Sequence, residues 1–169
     1  MHWLPAYIGL GSNLDDPPAR VAAAFDALDD LPQTQLILRS RLYRSRPLGP
    51  VPQPDFCNAV AALLTGLTPH ALLCELRALE TRLGRQPPRE RWGPRHIDLD
   101  LLAYDGLQVE DPELRLPHPG IVARSFVLYP LAELAPQLWL PGMGQVAALA
   151  RAVDAQGIEL HRTTQSGDA

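Results

Sequence analysis

Apolar positions along the 169-residue chain change their period several times, and each change marks an element. Residues 3–9 make an apolar run that GLGSN breaks, which predicts a strand followed by a turn. Asp16 and Pro17 then supply a helix cap and a favoured first helical position, and Val21, Phe25, Leu28 and Leu31 continue at helical spacing. Residues 35–45 set Leu36, Leu38 and Leu42 among polar and basic neighbours, a strand-like pattern. A Pro/Gly-rich loop at 47–54 leads into a second apolar strand at 56–64. Thr68 and Pro69 open another helix, whose stripe is Leu72, Leu76, Leu79 and Leu83 and whose end is Gly84.

After a polar loop the chain reads RWGPRHIDLDLL from Arg91, where Ile97, Leu99 and Leu101 alternate with His96, Asp98 and Asp100. Alternation of this kind anchors one strand face in a core and leaves Asp98 and Asp100 together on the other, about 7 Å apart. The predicted order is strand, helix, strand, strand, helix, strand. This βαββαβ pattern implies an α+β, ferredoxin-like core: a mainly antiparallel sheet with helices on one side and the other side open for a site. The turn-rich LPHPG stretch, helices near 126–134 and 145–153 and a strand at 158–162 form a C-terminal α/β extension, and 163–169 a frayed tail. A single domain, 1–169, accommodates all of it.

Composition narrows the function classes. The formal charge of -4 disfavours general nucleic-acid binding, and no apolar run reaches the length of a membrane span. Two cysteines form neither a CxxC nor a disulfide framework, and the N-terminal residues lack a secretory pattern, so a monomeric cytoplasmic protein is expected. All fifteen basic residues are arginine, which excludes a P-loop lysine. Six of them fall between 77 and 95 against only Glu80 and Glu90, a local positive field suited to a compact polyanion.

That field adjoins the two aspartates. Hard divalent ions favour carboxylate oxygens, and Mg2+ typically combines one or two protein carboxylates with phosphate oxygens and water. Arginines beside such a site neutralise charge as a phosphoryl group moves, so the cluster points to phosphoryl chemistry. His96-x-Asp98-x-Asp100 also admits a transition-metal hydrolase. A noncatalytic ligand-binding module and, more remotely, an RNA-binding sheet stay open as other classes. His118, held between two prolines, suits a phosphate donor or a local cap. Phe56, Trp92 and Phe126 are core aromatics or the walls of a slot for a flat ring, whose polar edge Asn58 could read. Cys57, on the other face from Asn58, belongs to packing. GLGSNL lacks the third glycine of a dinucleotide fingerprint and reads as a structural turn.

The ordered motifs YIGLGSNL, YRSRPLGPVPQPDFCNAV, ERWGPRHIDLDLL and LPHPGIVARSFVLYPLAELAP span nearly the whole chain and resemble the 6-hydroxymethyl-7,8-dihydropterin pyrophosphokinases of folate biosynthesis. That resemblance implies transfer of diphosphate from ATP to the pterin alcohol, with AMP released. It implies two Mg2+ ions on Asp98 and Asp100, and catalytic roles for Arg85 and Arg95. Phe56 and Phe126 would stack on the pterin, Asn58 would read its edge, backbone near Ser45 and Leu48 would complete the pocket, and Trp92 would close it. Glu80, Leu101, His118 and Arg124 would join Arg85, Trp92 and Arg95 on the ATP side. Three positions depart from the family pattern: Pro87 stands where another arginine is usual, with Arg89 following, Arg46 replaces a proline, and Arg115 a smaller polar residue.

Overall fold

The computed structural model describes residues 2–84, 93–155 and 157–162. Strand β1 (Leu4–Ser12) leads to helix α1 (Pro17–Asp29), then to strands β2 (Thr34–Arg39), β3 (Tyr43–Ser45) and β4 (Phe56–Thr65). Helix α2 (Pro69–Arg82) precedes β5 (Asp98–Tyr104) and a small hairpin, β6 (Val109–Glu110) with β7 (Arg115–Leu116). A 3-10 turn, Ile121–Ala123, starts α3 (Ser125–Leu134). The chain closes with β8 (Trp139–Leu140), β9 (Gly144–Gln145), α4 (Val146–Ala152) and β10 (Glu159–Leu160). None of the described helices is long and apolar enough to cross a membrane.

The main sheet runs β10-β3-β4-β1-β5, with β2 also paired to β4, and every pairing in it is antiparallel. Local chemistry explains the element ends. Thr68 accepts the amide hydrogen of Ala71 at 3.2 Å to cap α2, with Pro69 in the first turn, and Gly84 just beyond it takes a left-handed φ of 94° that favours glycine. The strand expected over 35–45 is two strands, because Ser40 intervenes. Its hydroxyl accepts the Val60 N–H at 2.8 Å while its own N–H donates to the Val60 carbonyl at 2.9 Å, so one side chain replaces a rung of the ladder.

Helices α1 and α2 share one face of the sheet, where Ile8, Leu10, Ala59, Ala61, Leu99 and Leu101 meet Phe25, Leu28, Leu72 and Leu76. Alternation puts the next residues on the other face, and there Val60 and Leu102 pack against Leu128 and Leu131 of α3. The expectation of helices on one side alone therefore holds for the two core helices and not for α3, which covers part of the second face. Strand β4 shows the physical reason: it is buried over most of its length on both faces, as a near-continuous apolar run requires. Deleting a side chain such as Leu128, which is fully buried, costs about 2–5 kcal/mol in a site of this kind. The second face thus splits into a packed half under α3 and an open half, where most of the candidate site residues gather.

Candidate functional site

A cavity of about 340 Å3 opens on that second half. Its floor is Gly9 and Gly11 of β1, Asn58 of β4, and Asp98 and Asp100 of β5, five positions that alternation sets on one face of three adjacent strands. Side chains are missing where the floor is deepest. A Cβ on Gly11 would lie 3.2 Å from Asn58 Oδ1, and one on Gly9 would lie 3.4 Å from Leu102 Cδ2. These glycines were read in the sequence as a turn and given no role at the site. Their signal was the spacing of two within a paired strand, which marks a close backbone approach.

The walls bring most of the candidate pterin residues together. Ser45, Leu48 and Phe56 line one side and Arg124 and Phe126 another, with Arg95 toward the β5 end. Asn58 is buried and donates to Ser45 Oγ at 2.7 Å, which fixes the plane of its amide. Helix α3, which carries Phe126, is tied to the strand that carries Ser45. Glu133 near its end accepts from the Arg41 N–H and Nε, both at 2.7 Å, and from the Tyr43 hydroxyl at 2.9 Å. Burial pushes the Glu133 carboxyl upward, but the Arg41 and Tyr43 hydrogen bonds outweigh it and hold the group below its ordinary value.

A second cavity, about 480 Å3, lies between α2, the outer edge of β5 and the 111–119 segment, and it includes Glu80, Leu101 and His118. Asp100 lines both cavities. Glu80 is buried and accepts the Leu99 N–H at 3.1 Å, so it supports the β5 edge as well as facing the cavity. Leu101 has its side chain in the helix-side core, 3% exposed, which leaves only its backbone for a ligand. Leu99 turns its N–H outward to Glu80, and the two-residue alternation of an antiparallel edge turns Leu101 the same way.

His118 stands where the second cavity meets the 116–120 turn, after a cis Leu116–Pro117 bond. Its Nδ1 accepts the Gly120 N–H at 3.0 Å, which leaves the proton of the neutral ring on Nε2 as a donor. Burial lowers its pKa and nearby Arg124 lowers it further, against an upward pull from Asp100, so the neutral form is favoured. The Arg124 guanidinium packs against the bare backbone of Gly120, where a Cβ would come 2.7 Å from its central carbon and make it shift. The Arg124 guanidinium sits over the Phe126 ring, 5.9 Å from its centroid.

Arg95 and Asp98 approach at 3.8 Å, and the Arg95 backbone is held by Asn13. Asn13 accepts the Arg95 N–H at 2.8 Å, donates its own N–H to the Arg95 carbonyl at 3.0 Å, and reaches Gln53 and the Pro54 carbonyl, each at 2.9 Å. Sequence reading did not single out Asn13, since its partners lie 40 to 82 positions away. Arg95 is thus held through one backbone bond and one side-chain bond, three residues before β5 begins at Asp98. His96, in the lead-in to that strand, does not join the aspartates. It bonds Asp15 at 2.8 Å and lines neither cavity, which removes the H-x-D-x-D metal reading. Among the described residues no group of three or more His, Cys, Asp or Glu is gathered for a metal ion. Cys57 is buried among the helix-side core, where burial pushes its thiol up to about 12, as expected for packing. Arg85 and Trp92 lie outside the described residues, as do Pro87 and Arg89.

Asp100 at the junction of two cavities, with Asp98 beside it and Arg95 and Arg124 in the aromatic-walled one, is an arrangement suited to phosphoryl transfer. The chain belongs to the 7,8-dihydro-6-hydroxymethylpterin-pyrophosphokinase family, whose sequence model matches residues 7–136. It is 48% identical over 153 residues to the 2-amino-4-hydroxy-6-hydroxymethyldihydropteridine pyrophosphokinase of Pseudomonas aeruginosa, covering 90% of this chain and 94% of that one. With the enzyme of the same name from Haemophilus influenzae it shares 43% identity over 148 residues, 88% and 92% of the two chains. The fold is similar to that of Plasmodium falciparum HPPK-DHPS crystallised with pteroate, at a TM-score of 0.70 and 13% identity. That match covers 88% of this chain and 42% of the other, so this chain spans less than half of the solved one.

Proposed function

We propose that this protein transfers diphosphate from ATP to the hydroxymethyl group of 6-hydroxymethyl-7,8-dihydropterin, giving AMP and the pterin diphosphate, a step of folate biosynthesis. The observation that carries the reading is Asp100, which lines both cavities and so stands where two substrates would meet. The pterin alcohol oxygen attacks the β-phosphorus, the bond to the AMP oxygen breaks, and the hydroxyl proton is released. No covalent enzyme intermediate is required.

The residues divide the work by position. Phe56 and Phe126 stack on the pterin, Asn58 presents amide groups to its polar edge, and backbone near Ser45 and Leu48 completes the contact. Leu101 offers the N–H and C=O of a free strand edge to the nucleotide base, beside Glu80. Arg95, Arg124 and His118, the last through Nε2–H, face the phosphates, and Arg85 and Trp92 are assigned to the same side by family resemblance. Such groups act by aligning nucleophile and leaving group and by neutralising charge.

Two carboxylates on one strand face at the cavity, Asp98 half-buried and Asp100 exposed, fit Mg2+, which takes oxygen ligands and fills its sphere with phosphate and water. When bound, the ions would neutralise phosphate charge and orient the transferred group. We read the β3-β4-β1-β5 core with its two helices as ferredoxin-like, with α3, α4 and β10 as a C-terminal extension, and the whole chain as one monomeric, cytoplasmic catalytic unit.

Chromatography of products from MgATP and 6-hydroxymethyl-7,8-dihydropterin tests the reading, with protein, metal or pterin omitted as controls. Equal amounts of AMP and pterin diphosphate are expected. ADP would mean transfer of one phosphate, pterin-independent release would mean hydrolysis, and saturable binding without product would mean a noncatalytic module.

A further inference from the structure

Outside both cavities, a cluster at the rim ties three elements together. Asp15 precedes α1, and its Oδ2 bonds His96 Nε2 at 2.8 Å on the lead-in to β5. Arg20, one turn into α1, donates Nε to the Asp15 carbonyl at 3.0 Å, and its second guanidinium nitrogen lies 3.6 Å from Asp15 Oδ2. Its first reaches the Leu83 carbonyl at 3.3 Å, the residue that ends α2. One carboxylate and one guanidinium therefore set the spacing between the end of α2 and the start of β5. Asp15 and Asp16 both take left-handed backbone, φ 50° and 62°, a conformation Asp tolerates better than most residues.

Asp15, the hub of the cluster, is too exposed for its ion pairs to be a stability device. The Asp15 side chain is 69% exposed, and surface ion pairs contribute little to folding. Its neighbours are what it can affect: His96 sits between Arg95 and the strand that carries Asp98 and Asp100. We propose that Asp15 is a positioning residue for the transfer reaction, holding His96 so that Arg95 and Asp98 keep their places at the phosphate side, with Arg20 completing the clip to α2. This rests on the function proposed above. The aromatic walls of the first cavity, Phe56 and Phe126, stand on β4 and α3, outside the clip; Arg95 and Asp98 border that cavity too, so the distinguishing effect is the one on the phosphates they are assigned to.

The test compares Asp15→Gly, which keeps the left-handed backbone and removes the carboxylate, with Asp15→Asn, which keeps an acceptor for His96. Each substrate is varied in steady-state kinetics, calorimetry measures binding of a nonhydrolysable MgATP analogue, and thermal unfolding is followed in parallel. Asp15→Gly is expected to lower kcat/KM for ATP about tenfold while pterin affinity stays within about twofold, and Asp15→Asn to recover most of the loss. Adding His96→Ala to Asp15→Gly should cost nothing further, since both remove one contact. An unchanged kcat/KM for ATP, a loss as deep in Asp15→Asn, additive losses in the double variant, or a fall in both affinities that tracks Tm would each overturn the proposal. Failure of the parent reading shows separately, as a wild type that makes no AMP.

Discussion

The two faces of the same three strands have opposite characters, one residue apart. Along β5, Leu99 is 3% exposed among helix side chains, and Asp100 beside it opens into two cavities. Along β1, Ile8 and Leu10 are core while Gly9 and Gly11 floor the site. The first face needs volume and nothing polar. The second needs absent side chains, two carboxylates and one oriented amide. A strand serves both because its side-chain period is two, so the site is backed directly by the core, and Leu10, Ala59, Leu99 and Leu101 border a cavity as well as packing in it.

Substitutions on either face should therefore separate activity from stability. Asp98→Ala and Asp100→Ala are expected to reduce MgATP-dependent turnover on the order of a thousandfold or more, with Tm nearly unchanged. Full activity in both variants would break the comparison on its functional side. One position away, Leu99→Ala should cost about 2–5 kcal/mol in denaturant unfolding and leave the KM values of the folded fraction unaltered. A changed KM with native stability would show that the helix-side face takes part in binding.

Phe56→Ala sharpens the contrast, because Phe56 is only partly buried at the start of β4. Its expected effect is about a tenfold loss of pterin affinity, read by fluorescence titration, with ATP affinity kept; unaltered pterin affinity would refute the stacking role. The smallest effect is that of pH through His118. Its folded pKa is lowered, so the unfolded chain takes up the proton first, and stability present above the ordinary value of 6.5 declines as pH falls below it. In His118→Gln this part of the stability profile should flatten. An equal slope in the variant would assign it to other groups.

How much of this the sequence carried depends on the range of the contacts. Strand alternation alone put Asp98 and Asp100 on one face and Leu99 and Leu101 on the other, and caps at Thr68 and Gly84 bounded α2. The break between β2 and β3 was hidden, because it depends on a bond between Ser40 and Val60, twenty positions apart. The docking of α3 was likewise hidden, though β4, apolar at nearly every position, indicated that both its faces are covered. The glycines of β1 interrupt an apolar run and look like a turn until their partners on β4 and β5 are known. His96 was placed with the aspartates by extending the strand back past Asp98, where β5 in fact begins, and its ring bonds Asp15 instead.

Asp100 borders two cavities. With pterin in one and nucleotide in the other, as proposed, it could not adjust to one occupant without altering what it presents to the other, which would link the two binding equilibria. Linkage is reciprocal: whatever factor nucleotide applies to pterin affinity, pterin must apply to nucleotide affinity. Selection acting on recognition of either substrate would then move both at once.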